Sequence, residues 1–222
     1  MITVAEIAET IVKRSPYLEE ALSLGIINLS ALARIIKPEI EKQLMKTVQE
    51  GAIIMGLKRL SQKIKVAKKS QKKLFLEPPD LMVRSNLLEI TIPNSDALLL
   101  KQKKLLDKIK SRKNYFLTFT QGIYETTIIV SKNLEGSLTE IFKEERIISK
   151  FDSLSSITIQ LPPGSTSIPG IYNYILRALA WEGINLIEVV STFNEFTIIL
   201  QDKSINQAFA ILKELFEPAK KG

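Results

Sequence analysis

Residues 156–216, SITIQLPPGSTSIPGIYNYILRALAWEGINLIEVVSTFNEFTIILQDKSINQAFAILKELF, decide the fold. Ile157, Ile159 and Leu161 alternate with Thr158 and Gln160, the pattern of a half-buried strand. Pro162, Pro163 and Gly164 stop it, because proline has no amide hydrogen to give a ladder. Ile168, Ile171, Ile175 and Leu179 then recur at helical spacing, with Pro169 where a missing donor costs little and Gly183 closing the helix. Two β-branched runs, Ile184–Thr192 and Phe196–Leu200, flank Phe193, Asn194 and Glu195, which suits a hairpin. Ile205, Phe209, Leu212 and Phe216 share one face of a second helix. The order is β-α-β-β-α.

The stretch just before it repeats this order. From Asn86, Leu88, Ile90 and Ile92 alternate, Pro93 ends the strand, and Asn94 or Ser95 caps a helix carrying Leu98, Leu99, Leu105, Leu106 and Ile109. Tyr115–Thr120 and Tyr124–Val130 are strands about the hairpin signal Gln121-Gly122, Leu134–Glu145 a second helix and Arg146–Phe151 a last strand. Matching Ile90 to Ile159 gives 159 − 90 = 69, and matching Thr126 to Phe196 gives 196 − 126 = 70, so the chain carries an internal repeat. Two prolines in Glu77-Pro78-Pro79-Asp80 fix an extended spacer ahead of it.

Ile168-Pro169-Gly170-Ile171, the helix ending in Gly183-Ile184-Asn185-Leu186 and the strand ending in Ser191-Thr192 together resemble the ACT domain. More closely, the tandem arrangement is similar to the regulatory ACT domains of aspartate kinases. The resemblance implies two ferredoxin-like βαββαβ domains, pairing of chains into a homodimer or higher, and a free amino acid held between paired domains. It also implies that occupancy is passed to an attached enzyme or DNA-binding module. Ile168, Gly170, Ile171, Ile184 and Asn185 would then give backbone or amide contacts to the ligand, with Ser191 and Thr192 nearby. The first copy departs from the pattern, having Asn94-Ser95-Asp96-Ala97 where the second has Pro169-Gly170. The second copy departs too, since Glu217-Pro218-Ala219-Lys220 leaves little room for a fourth strand. Its open edge has to be covered by the first copy or by a partner chain.

The residues themselves support the binding of an anion. The loop Ser165-Thr166-Ser167-Ile168-Pro169-Gly170 ends at a helix N-terminus, where free amide hydrogens and the helix dipole favour a carboxylate. Small hydroxyl side chains, Ser167 among them, add hydrogen bonds. A purely structural reading stands beside this, in which Gly170 lets helix and sheet pack closely and Asn185 caps a turn. Trp181 reads as a core or interface anchor.

The first part of the chain reads as all helix. Thr3 with Glu6 forms a capping box ahead of Val4, Ile7, Ala8, Ile11 and Val12. Ser15-Pro16 starts a helix to Leu24 with Gly25 as its stop; Asn28 caps Leu29–Ile36; Pro38 forces a new start before Glu39–Val48; and Ala52–Val66 follows Gly51. Five short helices result. Tyr17–Ile36 resembles a helix-turn-helix, whose second helix would present Ser30 and Arg34 to a groove. A plain helical bundle would need the same Leu22, Leu29, Leu32 and Ile35 spacing. Residues 1–80 hold 14 Lys/Arg against 9 Asp/Glu, a +5 share of the +7 total. The excess lies between Glu50 and Glu77, where Lys58, Lys65, Lys69 and Lys72 share a helix face suited to phosphates or, equally, to solvent.

The whole chain is thus expected to be α+β: a helical domain over 1–76, a Pro-containing linker over 77–85, and ACT-like domains over 86–152 and 153–222. With 222 residues, 45% hydrophobic and 25% charged, the composition is that of an ordinary folded protein. There is no cysteine and no histidine, so thiolate and imidazole metal sites are absent and a general base near neutral pH would need a strongly shifted group. No phosphate-cradling glycine loop or nucleophile elbow occurs, and no cofactor is implied. No signal-peptide layout and no apolar run of ~20 residues is present, so a cytoplasmic protein without a membrane partner is expected. Two functional readings follow. One is a non-enzymatic sensor whose ligand controls a DNA-binding helical domain. The other is a regulatory subunit whose helical domain docks on a metabolic enzyme.

Overall fold

The computed structural model describes residues 2–74, 78–109 and 115–217, and the side chains of 66–74 lie outside the described residues. Two compact units result, 1–74 and 75–222.

The first unit is four helices: α1 (Val4–Lys13), α2 (Pro16–Leu24), α3 (Leu29–Leu44) and α4 (Glu50–Leu74). Local signals set their starts. The Thr3–Glu6 box closes with Thr3 N donating to Glu6 Oε2 at 2.7 Å, and Asn28 Oδ1 accepts from the amides of Ser30 and Ala31 at 3.0 and 3.1 Å. Gly25 ends α2 at φ 75°, a left-handed backbone that favours glycine. The expectation of five helices is corrected at Pro38. The helix runs straight through it, because Ile36 and Ile40 on either side are buried in the core and hold the segment helical despite the missing amide. Ile7, Val12, Leu22, Leu32, Ile53 and Leu57 fill that core.

Among the described residues the second unit is one antiparallel sheet with four α-helices. In chain order its elements are β1 (Leu81–Pro93), α5 (Leu98–Ile109), β2 (Leu117–Gln121), β3 (Glu125–Ser131), α6 (Glu135–Phe142), β4 (Ser149–Gln160), α7 (Ile171–Trp181), β5 (Glu188–Ser191), β6 (Glu195–Gln201) and α8 (Ile205–Phe216). The six strands lie in the order β2-β3-β1-β4-β6-β5. Leu88, Ile90, Ile92, Ile128 and Val130 face α5 and α6, packing with Leu98, Leu105, Leu138 and Phe142. Asn94, expected as a helix cap, serves the hairpin: its Nδ2 donates to the carbonyls of Gly122 and Ile123, and its Oδ1 accepts from Thr126.

The open edge of the second copy is closed by the first. Strand β1 begins at Leu81, inside the span expected as linker, and Leu81–Arg84 pair with Ile159–Ser156 of β4. The two strands expected at Arg146–Phe151 and Ser156–Leu161 are one strand, β4. Each long strand therefore serves both halves. The N-terminal part of β1 supplies the fourth strand of the second half, and the N-terminal part of β4 supplies the fourth strand of the first. Bulges with positive φ interrupt the pairing at Asn86 (58°) and Ser153 (56°).

These bulges also correct the repeat. Ile92 pairs with Thr126 as Ile159 pairs with Phe196, so the long strands repeat at 67 residues (92 to 159) and the hairpins at 70 (126 to 196). Asn86 and Ser153 are equivalent on that count. The hydroxyl contacts Thr91–Thr127 (3.0 Å) and Thr158–Thr197 (2.8 Å) are equivalent too. The 69-residue match of Ile90 to Ile159 was two residues out of register, because alternating isoleucines at Ile90 and Ile92 fit a strand equally well.

On the face turned away from α5 and α6, Leu87, Ile129, Leu154 and Ile199 are completely buried in one cluster with Phe116, Ile187 and Val190 around it. Phe116, beside β2, and Val190 of β5 come from opposite edges of the sheet, so residues of both edges cover this face and form a seam over it. The equivalent seam positions Glu89 and Ser156 carry buried oxygens, Oε2 and Oγ, that have no hydrogen-bond partner among the described residues. Burial, and the nearby charge of Glu188, push the Glu89 carboxyl up to about 7.

Candidate functional site

The second half builds its candidate site where β4 passes into α7. Leu161 N donates to Asn194 O at 2.7 Å, which pins the start of the loop to the β5–β6 hairpin. Gly164 turns at φ 85°, Ser165–Ser167 form a single 3-10 turn with Ser165 buried, and Gly170 at φ 82° swings the chain into α7. No side chain caps α7, so the amide hydrogens of its first turn have no side-chain acceptor at the helix end. This is an anion-receptive helix end built on an exposed loop.

The six residues expected at the ligand fall into two groups. Ser167, Ile168, Gly170 and Ile171 gather at the N-terminal end of α7; Ser167 and Gly170 are exposed, while the Ile171 side chain is buried and only its amide is presented. Ile184 and Asn185 follow the C-terminal end, where Gly183 at φ 70° lets Ile184 N bond Leu179 O at 3.0 Å. Eleven residues of helix put the two groups about 16 Å apart. A single chain does not bring them together. In the first half, the side-chain bonds of Asn94 to Gly122, Ile123 and Thr126 occupy the corresponding hairpin end. Trp181 is 63% exposed, with the Arg177 guanidinium 4.7 Å over its ring, and so is not a core anchor.

In the helical unit, Ser30 and Arg34 stand exposed on successive turns of α3. Lys58 and Lys65 are exposed on α4; the Lys65 ammonium lies close to Gly25, against the turn between α2 and α3. The side chains of Lys69 and Lys72 lie outside the described residues. Leu24, Ile26 and Ile35 are also exposed, giving this surface an apolar component that the charge pattern did not reveal. Among the described residues no helix is long and apolar enough to cross a membrane.

Two hollows lie elsewhere. One, of about 430 Å³, is an open depression lined by Ile2, Glu6, Ile7, Thr10 and Gln43. The other, of about 230 Å³, lies under α6 and is more enclosed. Neither is lined by any of the six ligand candidates.

Two ferredoxin-like halves sharing long central strands define a tandem ACT fold, and the solved structures similar to it include regulatory regions of aspartate kinases. The aspartokinase α and β subunits match with a TM-score of 0.53 at 14% identity, over 67% of this chain and 99% of theirs. The regulatory subunit of the Thermus thermophilus aspartate kinase, ligand-free, gives 0.50 at 15% over 64% and 100%. Escherichia coli aspartokinase III in complex with aspartate and ADP gives 0.50 at 13%, over 63% of this chain and 34% of the kinase. The chain thus spans about a third of that whole kinase. No family model and no curated protein matches the sequence.

Proposed function

We propose that this protein is a non-catalytic regulator in which the 75–222 unit binds a small carboxylate ligand, an amino acid, and governs the helical 1–74 unit, which contacts DNA. The observation that carries the first half is the uncapped N-terminus of α7, reached through a hydroxyl-bearing turn and two left-handed glycines. An α-carboxylate fits those amides, and the aspartate bound in the E. coli kinase structure is one candidate guest. Because Ile184 and Asn185 lie at the far end of α7, a complete site on this reading takes one helix end from each of two paired chains. Pairing also sets the spacing of two helical units, so a ligand that binds two pairings with different affinity would shift which spacing is populated.

The exposed Leu24, Ile26 and Ile35 favour a second reading, in which the helical unit docks on a protein. Both readings share the ligand.

Thermal unfolding in the presence of each of the twenty amino acids tests it. One or two should raise Tm, by roughly 5–10 °C at a hundredfold excess over Kd for a protein of this size. Gly170→Val, which forces a β-branched residue into the left-handed region, should abolish that rise. No shift with any amino acid would leave the tandem fold as a pairing module.

A further inference from the structure

The two halves differ most at their second helix, and the difference opens a cavity. Both helices follow a 3-10 turn at the same place, Lys132–Leu134 before α6 and Asp202–Ser204 before α8, so residues 70 apart correspond. Helix α8 has 12 residues and ends on Phe216, which is buried; α6 has 8 and stops at Phe142. The residue matching Phe216 is Arg146, beyond the end of α6. Within the helix, Glu135 and Thr139 stand where the second half has Ile205 and Phe209. Two aromatic rings and a branched aliphatic chain of the second half thus have no apolar counterpart in the first.

The space left is the half-open cavity of about 230 Å³ under α6. Leu88 and Ile90 of β1 form its floor with Leu138 and Phe142, all four buried, and Ile147 borders it half-exposed. Its charged rim is mostly committed. Glu135 binds Lys150 at 2.8 Å and Lys132 at 3.0 Å, and Glu145 binds Lys101 at 2.7 Å and accepts from Ser95 at 3.0 Å. Lys143 makes no ion pair or hydrogen bond among the described residues, and Glu140, three residues back on α6, is the carboxylate it attracts without contact. An apolar cavity of about 150 Å³ already takes up a molecule the size of benzene.

We infer that this cavity is a second ligand seat, separate from the α7 end, for a small branched aliphatic carboxylate. Its hydrocarbon body lies on Leu88, Ile90, Leu138 and Phe142, and its carboxylate meets Lys143 at the mouth. The body takes the place of Phe209 and Phe216 of the second half, and its own apolar surface gains from leaving water. The carboxylate stays at the water boundary, where an ammonium partner costs little to desolvate. A branched-chain amino acid and the matching 2-oxo acid share this chemistry and differ in the ammonium group, which would face the Glu135 and Glu145 side of the rim.

The test is a methyl-labelled NMR titration of the full chain with leucine and, separately, with 4-methyl-2-oxopentanoate to millimolar concentration. Saturable shifts of the Leu138, Ile90 and Ile147 methyl groups are expected from at least one of them, and the tighter of the two identifies the source. Thr139→Phe, which restores the aromatic of the second half, should remove the shifts. Lys143→Glu changes an exposed residue that the fold does not need, and should weaken binding at least about tenfold. Gly170→Val should leave these shifts intact, so failure here is distinct from failure at the α7 end. The inference is overturned by the absence of saturable shifts with both probes, by binding that survives Lys143→Glu unchanged, or by shifts that appear only at Ile168 and Ile171.

Discussion

Replacing Glu89 by Gln should stabilise the second unit by roughly 3 kcal/mol at about pH 8 and leave it unchanged at about pH 4. Glu89 is 4% exposed in the sheet seam, its Oε2 has no partner among the described residues, and its carboxyl titrates at about 7 in place of 4.5. In the unfolded chain the same carboxyl gives up its proton near its ordinary value. Between those two values the unfolded state binds fewer protons than the folded one, so stability falls as pH rises through that window and is level on either side of it. Glutamine keeps the shape without the charge. The difference between the two unfolding curves should therefore grow from about pH 4.5 to about pH 7, then stay constant, and reach roughly 6–12 °C in Tm. Parallel curves across the whole range would mean that the seam is wet and Glu89 solvated.

Met82→Pro should cost roughly 1–3 kcal/mol, although the Met82 side chain is 63% exposed. Gln160 N donates to Asp80 O at 3.0 Å, so in this antiparallel ladder Asp80, Met82 and Arg84 are the residues whose amides and carbonyls bond β4. Proline at Met82 removes the donor that meets Thr158, and the second half loses the strand that covers its edge. Val83→Pro, one residue on, sits at a position whose amide points away from β4, and should cost distinctly less. Chemical denaturation of the two variants measures the contrast. If both cost the same, the N-terminal part of β1 is not bonded to β4 as described. Concentration-dependent association of Met82→Pro should accompany its loss of stability, because an uncovered edge pairs with other chains.

Much of this architecture was legible from local signals, and the reasons differ from place to place. The Thr3 box, the Asn28 cap and the Gly25 stop act within one turn of helix, so three or four residues specify them. The tandem β-α-β-β-α order was equally readable, because alternation and helical spacing change at Pro162–Gly164 and at Pro93. Strand sharing was not. Leu81–Arg84 read as linker since nothing local says which strand they will pair with, and that partner lies more than 70 residues on, at Ser156–Ile159. Glu89 is hidden for a related reason. Alternation of Leu88, Ile90 and Ile92 assigns it to the opposite face, and only residues from both edges of the sheet bury that face as well. Pro38 shows tertiary packing overriding a local stop signal.

At the candidate site, the motif Ile168-Pro169-Gly170 and the turn at Gly183-Ile184-Asn185 were each visible, but their separation by the length of α7 was not. Helix length is plain in the sequence; that a bound molecule would need both ends is implied only by the resemblance, and α7 holds those ends apart. The 70-residue correspondence of the hairpins was readable, but the cavity under α6 shows only in the folded chain, where that correspondence sets Thr139 against Phe209.

Occupancy of the second unit should change how the first one binds DNA. This is tested most directly by the fluorescence anisotropy of a labelled DNA duplex titrated with the full chain, with and without the stabilising amino acid, at two salt concentrations. Binding should be salt-sensitive, change several-fold in affinity with the amino acid, and weaken with Arg34→Ala combined with Lys58→Ala. Binding that is identical with and without the amino acid, or that ignores the double substitution, would contradict it.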